Sequence, residues 1–224
     1  MIHFQKNKDE VFEAVAKAAT DAHRPSDSVT VIAVTKYVDS SIAKDLIKTG
    51  VTHIGENRVD QFLEKYHAFE GQSLVWHLIG SLQRRKVKDV INLVDYFHAL
   101  DSVKLAAEIQ KRAEHPIKCF LQVNISKEES KHGFSIEEID EAIDAMKAYE
   151  SIELVGLMTM APLGASESEL QDIFSKTEQL RQRLAALQLP RMPFTELSMG
   201  MSGDFKEAIA HGSTFVRIGT AFFK

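Results

Sequence analysis

Val29-Thr30-Val31-Ile32-Ala33-Val34-Thr35-Lys36 is a β-branched run bounded by polar residues. It reads as a strand buried on both faces, which suits a parallel sheet covered by helices. Upstream, Val11, Val15, Ala18 and Ala19 keep roughly helical spacing through a charged stretch that ends near Arg24-Pro25. Downstream, helical and extended patterns alternate. A helix over 41–48, stopped by Gly50, leads to Thr52-His53-Ile54-Gly55-Glu56-Asn57. A helix through Val59, Phe62 and Leu63 leads to Val75-Trp76-His77-Leu78-Ile79-Gly80. A basic helix starting near Arg84 leads to Tyr96-Phe97-His98-Ala99-Leu100-Asp101, and a helix over 105–113 leads to a strand over 117–124. Helices after Ser135, over 170–187 and over 205–210 precede strands over 154–160, 195–199 and 214–218.

Eight strand candidates with a helix in each gap leave either an open doubly wound sheet or a closed barrel. The 224 residues match the compact end of the barrel size range. The spacing therefore predicts a single α/β domain over 1–224, a (β/α)8 barrel whose extra N-terminal helix caps the closed bottom. Hydrophobic residues at 44% and charged residues at 26% exclude a disordered chain. A net charge of −5 argues against nucleic acid or anionic lipid as partner. No apolar stretch approaches the roughly 18 to 20 residues of a membrane span, and the N-terminus lacks the features of a secretory signal. A cytoplasmic protein is expected. The lone Cys119, in an apolar run, reads as a buried thiol.

In such barrels the chemistry gathers where strands end and loops begin. The strand ends are Lys36, Asn57, Ser81, Asp101, Asn124, Met160, residues 198–202 and residues 217–220, most of them polar directly after apolar runs. Lys36 closes an apolar strand on the face of Ile32 and Val34. If that face is the interior, its amine is partly desolvated and able to attack a carbonyl; a lysine snorkelling to solvent is the plain alternative. Ser198-Met199-Gly200-Met201-Ser202-Gly203-Asp204 opens a helix, with Ser202 placed as an N-cap. Arg217-Ile218-Gly219-Thr220 follows the last strand. Loops after strands seven and eight are a frequent phosphate site in barrels.

A lysine on strand one beside such a cup asks for an aldehyde that carries phosphate. Pyridoxal 5′-phosphate fits, and so does a phosphosugar in a Schiff-base aldolase. Other candidates are less specific. His77 reads either as a rim-ordering group or as a satisfied core histidine, and Asp101 as a helix N-cap. Arg84-Arg85-Lys86 reads as a solvated helix face, with a second phosphate or cofactor site as the sharper reading. Met158, Met160, Met199 and Met201 read as cavity lining.

Several segments together resemble the pyridoxal phosphate homeostasis proteins, the YggS/PROSC family, along essentially the whole chain. They are Val31-Ile32-Ala33-Val34-Thr35-Lys36, Gly55-Glu56-Asn57-Arg58-Val59, Trp76-His77-Leu78-Ile79-Gly80-Ser81-Leu82-Gln83, Gln122-Val123-Asn124, Lys131-His132-Gly133, Gly156-Leu157-Met158-Thr159-Met160-Ala161-Pro162, residues 197–204 and Val216-Arg217-Ile218-Gly219. The resemblance implies a barrel like the N-terminal domain of alanine racemase, fold type III without the β-domain. It implies pyridoxal 5′-phosphate held as a Schiff base on Lys36. Ser202, Gly219 and Thr220 would hold the phosphate, with Ser198 and Met199 close by. Arg217 would face the pyridine nitrogen, and Asn57 would lie near the ring. A guanidinium there keeps that nitrogen unprotonated and weakens carbanion chemistry. One departure is Leu82-Gln83-Arg84-Arg85-Lys86, where Arg85 replaces an asparagine common in the family.

The expected function is that of a cofactor-binding protein in vitamin B6 and amino-acid homeostasis, which buffers or delivers pyridoxal 5′-phosphate. No robust catalysis and no metal are expected, since eight βα units leave no room for the β-domain that brings a racemase its second base. Pyridoxal-phosphate-dependent apo-enzymes are the expected partners, and a monomer the expected state. A racemase or decarboxylase of the same barrel class is the alternative, and a class I aldolase the third reading.

Overall fold

The computed structural model describes residues 1–129 and 132–224. Lys131, one of the residues of the resemblance, lies outside them. After α1 (Phe4–Asp21), the chain alternates without exception: β1 (Thr30–Val34), α2 (Ser40–Ile47), β2 (His53–Glu56), α3 (Val59–Ala68), β3 (Val75–Leu78), α4 (Val87–Val90), β4 (Tyr96–Leu100), α5 (Val103–Arg112), β5 (Ile117–Gln122), α6 (Ile139–Met146), β6 (Ile152–Met158), α7 (Glu167–Ala185), β7 (Glu196–Met201), α8 (Phe205–Ala210) and β8 (Phe215–Ile218). The strands pair in parallel in sequence order, and β8 returns to β1 with Ile32 opposite Arg217, so the sheet closes into a barrel. This is the expected (β/α)8 architecture.

Three helices, α2, α5 and α7, start where a side chain satisfies a free backbone amide. Asp39 accepts from the Ile42 amide at 2.9 Å, and Ser166 and Glu169 form a reciprocal capping box on α7. At α5 the cap is Ser102, whose Oγ accepts from the Leu105 amide, and not Asp101 as the sequence suggested. The basic helix expected from Arg84 is a single α-helical turn, Val87–Val90, between two 3-10 turns, Arg84–Lys86 and Ile91–Leu93. β-branched Val87, Val90 and Ile91 are all buried there, so tertiary packing overrides helical continuation.

α1 corrects another expectation. It does not cap the bottom; it packs on α2, α8 and the C-terminal turn Thr220–Phe223, on the flank of the barrel. Its Asn7 Nδ2 donates to the carbonyls of Phe222 and Lys224, both at 3.0 Å. Among the described residues β8 is followed only by the 3-10 turn Thr220–Phe223, and α8 is only six residues long. α1 therefore completes the helical ring from the other end of the chain.

Most of the core lies between sheet and helices, where Ile54, Phe62, Leu78, Phe97 and Phe174 are fully buried. The barrel interior differs from the usual filling of branched aliphatic residues. Phe215 meets His53, His77, Tyr96, His98 and Phe120 at centroid distances between 5.3 and 6.5 Å. These rings come from β2, β3, β4, β5 and β8, and strands that are not neighbours in the sheet can meet only inside it.

Candidate functional site

At the C-terminal ends of β1, β2, β7 and β8 lies a cavity of about 570 Å³. Six of the eight residues expected at a site line it: Lys36, Asn57, Ser202, Arg217, Gly219 and Thr220. Its outer wall is apolar, made by Met160, Ala161, Pro162, Leu163 and Met201. Two of the four methionines expected as lining are there; Met158 and Met199 are buried in the core instead.

Lys36 stands two residues beyond the last residue of β1, half-exposed at the mouth rather than within the strand. Its Nζ lies 4.8 Å from the centroid of the Tyr37 ring and makes no ion pair among the described residues. The preceding residue is anchored from behind. Thr35 Oγ1 donates to Glu56 Oε1 at 2.6 Å, and buried Lys65 donates to both that oxygen and the Thr35 carbonyl. Asn57 follows Glu56 on β2. Its carbonyl passes so close to Gly80 that a Cβ on the glycine would come within 2.1 Å of it. Glycine at 80 thus lets the ends of β2 and β3 meet under the cavity.

The other end of the cavity is a cup of unused donors. Among the described residues, the amides of Ser202, Gly203 and Thr220 and the hydroxyls of Ser202 and Thr220 have no protein acceptor. Gly219 brings this turn against β1, where an added Cβ would lie 3.3 Å from the Val34 carbonyl. Ser202 is not the cap of α8. Asp204 occupies that position, and its Oδ1 accepts from the Met201 amide at 2.6 Å, which leaves the Ser202 hydroxyl free. Burial raises the Asp204 carboxyl above its ordinary value, against the pull of Arg217.

Arg217 forms the floor, 5% exposed. Nη1 donates to the Ser198 carbonyl at 3.0 Å and to Ser198 Oγ at 2.6 Å, and Nη2 donates to the Thr159 carbonyl at 3.2 Å. Nε–H and one Nη2–H have no protein acceptor among the described residues. Burial pulls its pKa down to about 10, with Asp204 opposing, so the guanidinium stays charged at neutral pH.

Ser198 and Met199 are placed differently from the expectation. Both are fully buried beneath the cavity; Ser198 holds Arg217, and the Met199 carbonyl accepts from Ser213 Oγ at 2.6 Å. Their burial within β7 puts them behind the surface that Ser202 and Thr220 present.

Sequence reasoning missed what stands behind Arg217. Ser198 Oγ is 2.7 Å from His98 Nδ1, His98 Nε2 is 2.8 Å from His77 Nδ1, and His77 Nε2 is 2.9 Å from His53 Nδ1. Burial, then the neighbouring ring and Arg217, hold His98 well below the ordinary imidazole range. Burial and His53 do the same to His77. His77 is therefore a core histidine, the plainer of its two readings. A signal was available, because β2, β3 and β4 each carry one histidine in an apolar run. Asp101, also raised by burial, faces His132 at 3.7 Å. Cys119 is buried, and burial raises its thiol far above the ordinary value.

Residues 13–224 match the family described as alanine racemase, N-terminal domain. A pyridoxal phosphate homeostasis protein of Aquifex aeolicus is 37% identical over 95% of this chain and 94% of its own length. That of Escherichia coli K12 is 35% identical over 97% and 94%. Among solved structures, PipY of Synechococcus elongatus with PLP bound superposes with a TM-score of 0.83 at 31% identity, covering 94% of this chain and all of that one. With fold, strand-end residues and full-length likeness in agreement, the chain belongs to the alanine racemase N-terminal domain family and, within it, to the pyridoxal phosphate homeostasis proteins.

Proposed function

We propose that this chain binds pyridoxal 5′-phosphate as a Schiff base on Lys36 and buffers or delivers it, without robust catalysis of its own. One observation carries the reading: a single cavity gathers an amine and a cup of donors that have no ion pair or acceptor among the described residues, and a charged, buried guanidinium. Its volume of about 570 Å³ lies in the range of small-ligand sites. When bound, the cofactor supplies an aldehyde carbon, a phosphate dianion and a pyridine nitrogen. Lys36 Nζ would hold the first. Ser202, Gly203 and Thr220 donate to the second, with Gly219 giving the backbone room to approach. Arg217, with an N–H to spare and charged at neutral pH, would face the third and disfavour its protonation. Asn57, on the cavity wall, would border the ring. Ser198 acts from behind by orienting Arg217, and Met199 contributes to the packing beneath.

A carrier is favoured over an enzyme by what surrounds the amine. An unprotonated pyridine is a poor electron sink. Among the described residues, the ionisable side chains lining the cavity besides Lys36 and Arg217 are Tyr37, whose ring centroid lies 4.8 Å from Lys36 Nζ, and Asp204, whose Oδ1 already accepts from the Met201 amide. PLP is what the PipY structure holds, and homeostasis of pyridoxal phosphate is what the relatives are named for. The reading includes a single cytoplasmic domain that acts as a monomer on apo-enzymes as acceptors. No helix among the described residues is long and apolar enough to cross a membrane.

The test begins with the absorbance spectrum of the loaded protein, followed by borohydride reduction and peptide mass mapping. A visible band and a pyridoxyl mass on the peptide containing Lys36, both lost in Lys36→Ala, are expected. A colourless, unmodified protein after incubation with cofactor sinks the reading. Transfer to an acceptor apo-enzyme faster than spontaneous release supports delivery; equal rates leave buffering alone. Turnover of α-deuterated amino acids well above that of free cofactor, abolished by Lys36→Ala, favours the racemase alternative.

A further inference from the structure

The groups behind the cavity floor form a line. From Arg217 Nη1 it runs to Ser198 Oγ, then through His98 and His77 to His53, at 2.6, 2.7, 2.8 and 2.9 Å. All three rings are mounted the same way round, Nδ1 toward Arg217 and, in His98 and His77, Nε2 toward the next ring. The line crosses from β8 and β7 to β4, β3 and β2. It ends at half-buried His53, in a second mouth of about 360 Å³ that also holds Asp95, His115 and Lys118.

Proton positions along this line follow from its first member. A guanidinium has five donors and no acceptor, so Ser198 Oγ accepts from Arg217. The one hydroxyl proton then goes to the only other partner among the described residues, His98 Nδ1. That makes His98 Nδ1 an acceptor and puts the ring proton on Nε2, which donates to His77 Nδ1. The same step repeats from His77 Nε2 to His53 Nδ1. The opposite order leaves the Ser198 proton buried without an acceptor among the described residues, which buried hydroxyls avoid.

We propose that Arg217 polarises this line into a one-way relay of neutral Nε2–H imidazoles, which makes His98 and His77 positioning residues for the guanidinium at the cavity floor. Each ring then turns its lone pair, the negative end of its dipole, toward a buried cation that makes no ion pair among the described residues. Oriented imidazoles do the work a carboxylate does elsewhere, without a negative charge that would pull Arg217 away from the cavity. The consequence for a pyridine nitrogen rests on the cofactor reading above; the relay itself does not.

Long-range ¹H–¹⁵N NMR of the unloaded full chain at neutral pH reads each imidazole tautomer. We expect His53, His77 and His98 all neutral with the proton on Nε2. A proton on Nδ1 of His77 or His98, or a doubly protonated ring at either position, overturns the relay. In Ser198→Ala, the Nδ1 resonance of His98 is expected to move toward that of a free lone pair, with the wild-type pattern kept in Ser198→Thr. An unmoved His98 resonance in the alanine variant overturns the link to Arg217. With ¹⁵N-labelled cofactor bound, Ser198→Ala and His98→Phe are both expected to shift the ring-nitrogen resonance. An unchanged resonance in both overturns the positioning role. The unloaded spectra stand whether or not pyridoxal phosphate attaches to Lys36, so the two readings fail separately.

Discussion

Lys65 is charged, yet only 2% exposed, and the residue it holds is fully buried Glu56. Their contact of 2.5 Å is joined by Thr35, and Glu56 Oε2 has no hydrogen-bond partner among the described residues. A buried pair adds little over an apolar one, but removing a single member strands the other charge. Lys65→Met is therefore expected to destabilise the chain by about 3 to 5 kcal/mol, read as a lowered urea midpoint with an unchanged slope. Replacing Glu56 and Lys65 together by apolar residues should cost clearly less than Lys65→Met alone. Equal costs would mean that the charge itself is unimportant. Much of the candidate cavity lining at this scale was legible in the sequence. Lys36, Asn57, Ser202, Arg217, Gly219 and Thr220 all stand at or just beyond the ends of apolar strands, and one rule about barrel strand ends finds them. Glu56, Lys65, His53 and His98 were not singled out, and His77 was read alone rather than as part of a line, because burial depends on which face a strand or helix turns inward. Lys65 did carry a hint, three residues after Phe62 on the apolar face of α3.

At the scale of elements, the alternation of helix and strand was legible throughout, whereas the place of α1 was not. Its amphipathic spacing says that one face is buried but not against what. The partner is the other end of the chain: α8 and the turn Thr220–Phe223, tied by Asn7 to the carbonyls of Phe222 and Lys224. That turn begins at Thr220, one of the proposed phosphate donors. Asn7→Ala removes both bonds and leaves the buried Phe222 carbonyl without its side-chain donor. The expected cost is about 1 to 3 kcal/mol, measured by thermal or urea unfolding. The same variant should release bound pyridoxal phosphate faster than wild type, because the C-terminal turn that presents Thr220 loses its anchor. Unchanged release alongside lowered stability would separate the turn's structural part from its part in the cup.

For the molecule as a whole, the histidines inside the barrel make folding depend on pH in a definite direction. His77 and His98 are held neutral, with folded-state values depressed chiefly by burial. In the unfolded chain both return to about 6.5. Above that pH neither state binds the protons, and the two rings contribute no pH dependence. As pH falls through 6.5, the unfolded chain takes up protons that the folded barrel refuses, so stability declines. Each ring contributes a slope approaching about 1.4 kcal/mol per pH unit. While both stay neutral, the pair removes about 3 kcal/mol or somewhat more between pH 6.5 and 5. Half-buried His53, depressed in the same sense, adds to this. Asp101 and Asp204, raised by burial, act the other way, because the folded state takes their protons before the unfolded chain does. Their ordinary values lie near 3.8, below most of this window. Urea unfolding at half-unit steps from pH 7.5 to 5 should show a plateau above 7 and a steepening loss below 6.5. His98→Gln, which removes one titrating ring, should make the acid limb shallower by one ring's share. A stability profile flat to pH 5 would mean that the buried rings accept protons in the folded state, which the aligned imidazoles behind Arg217 do not permit.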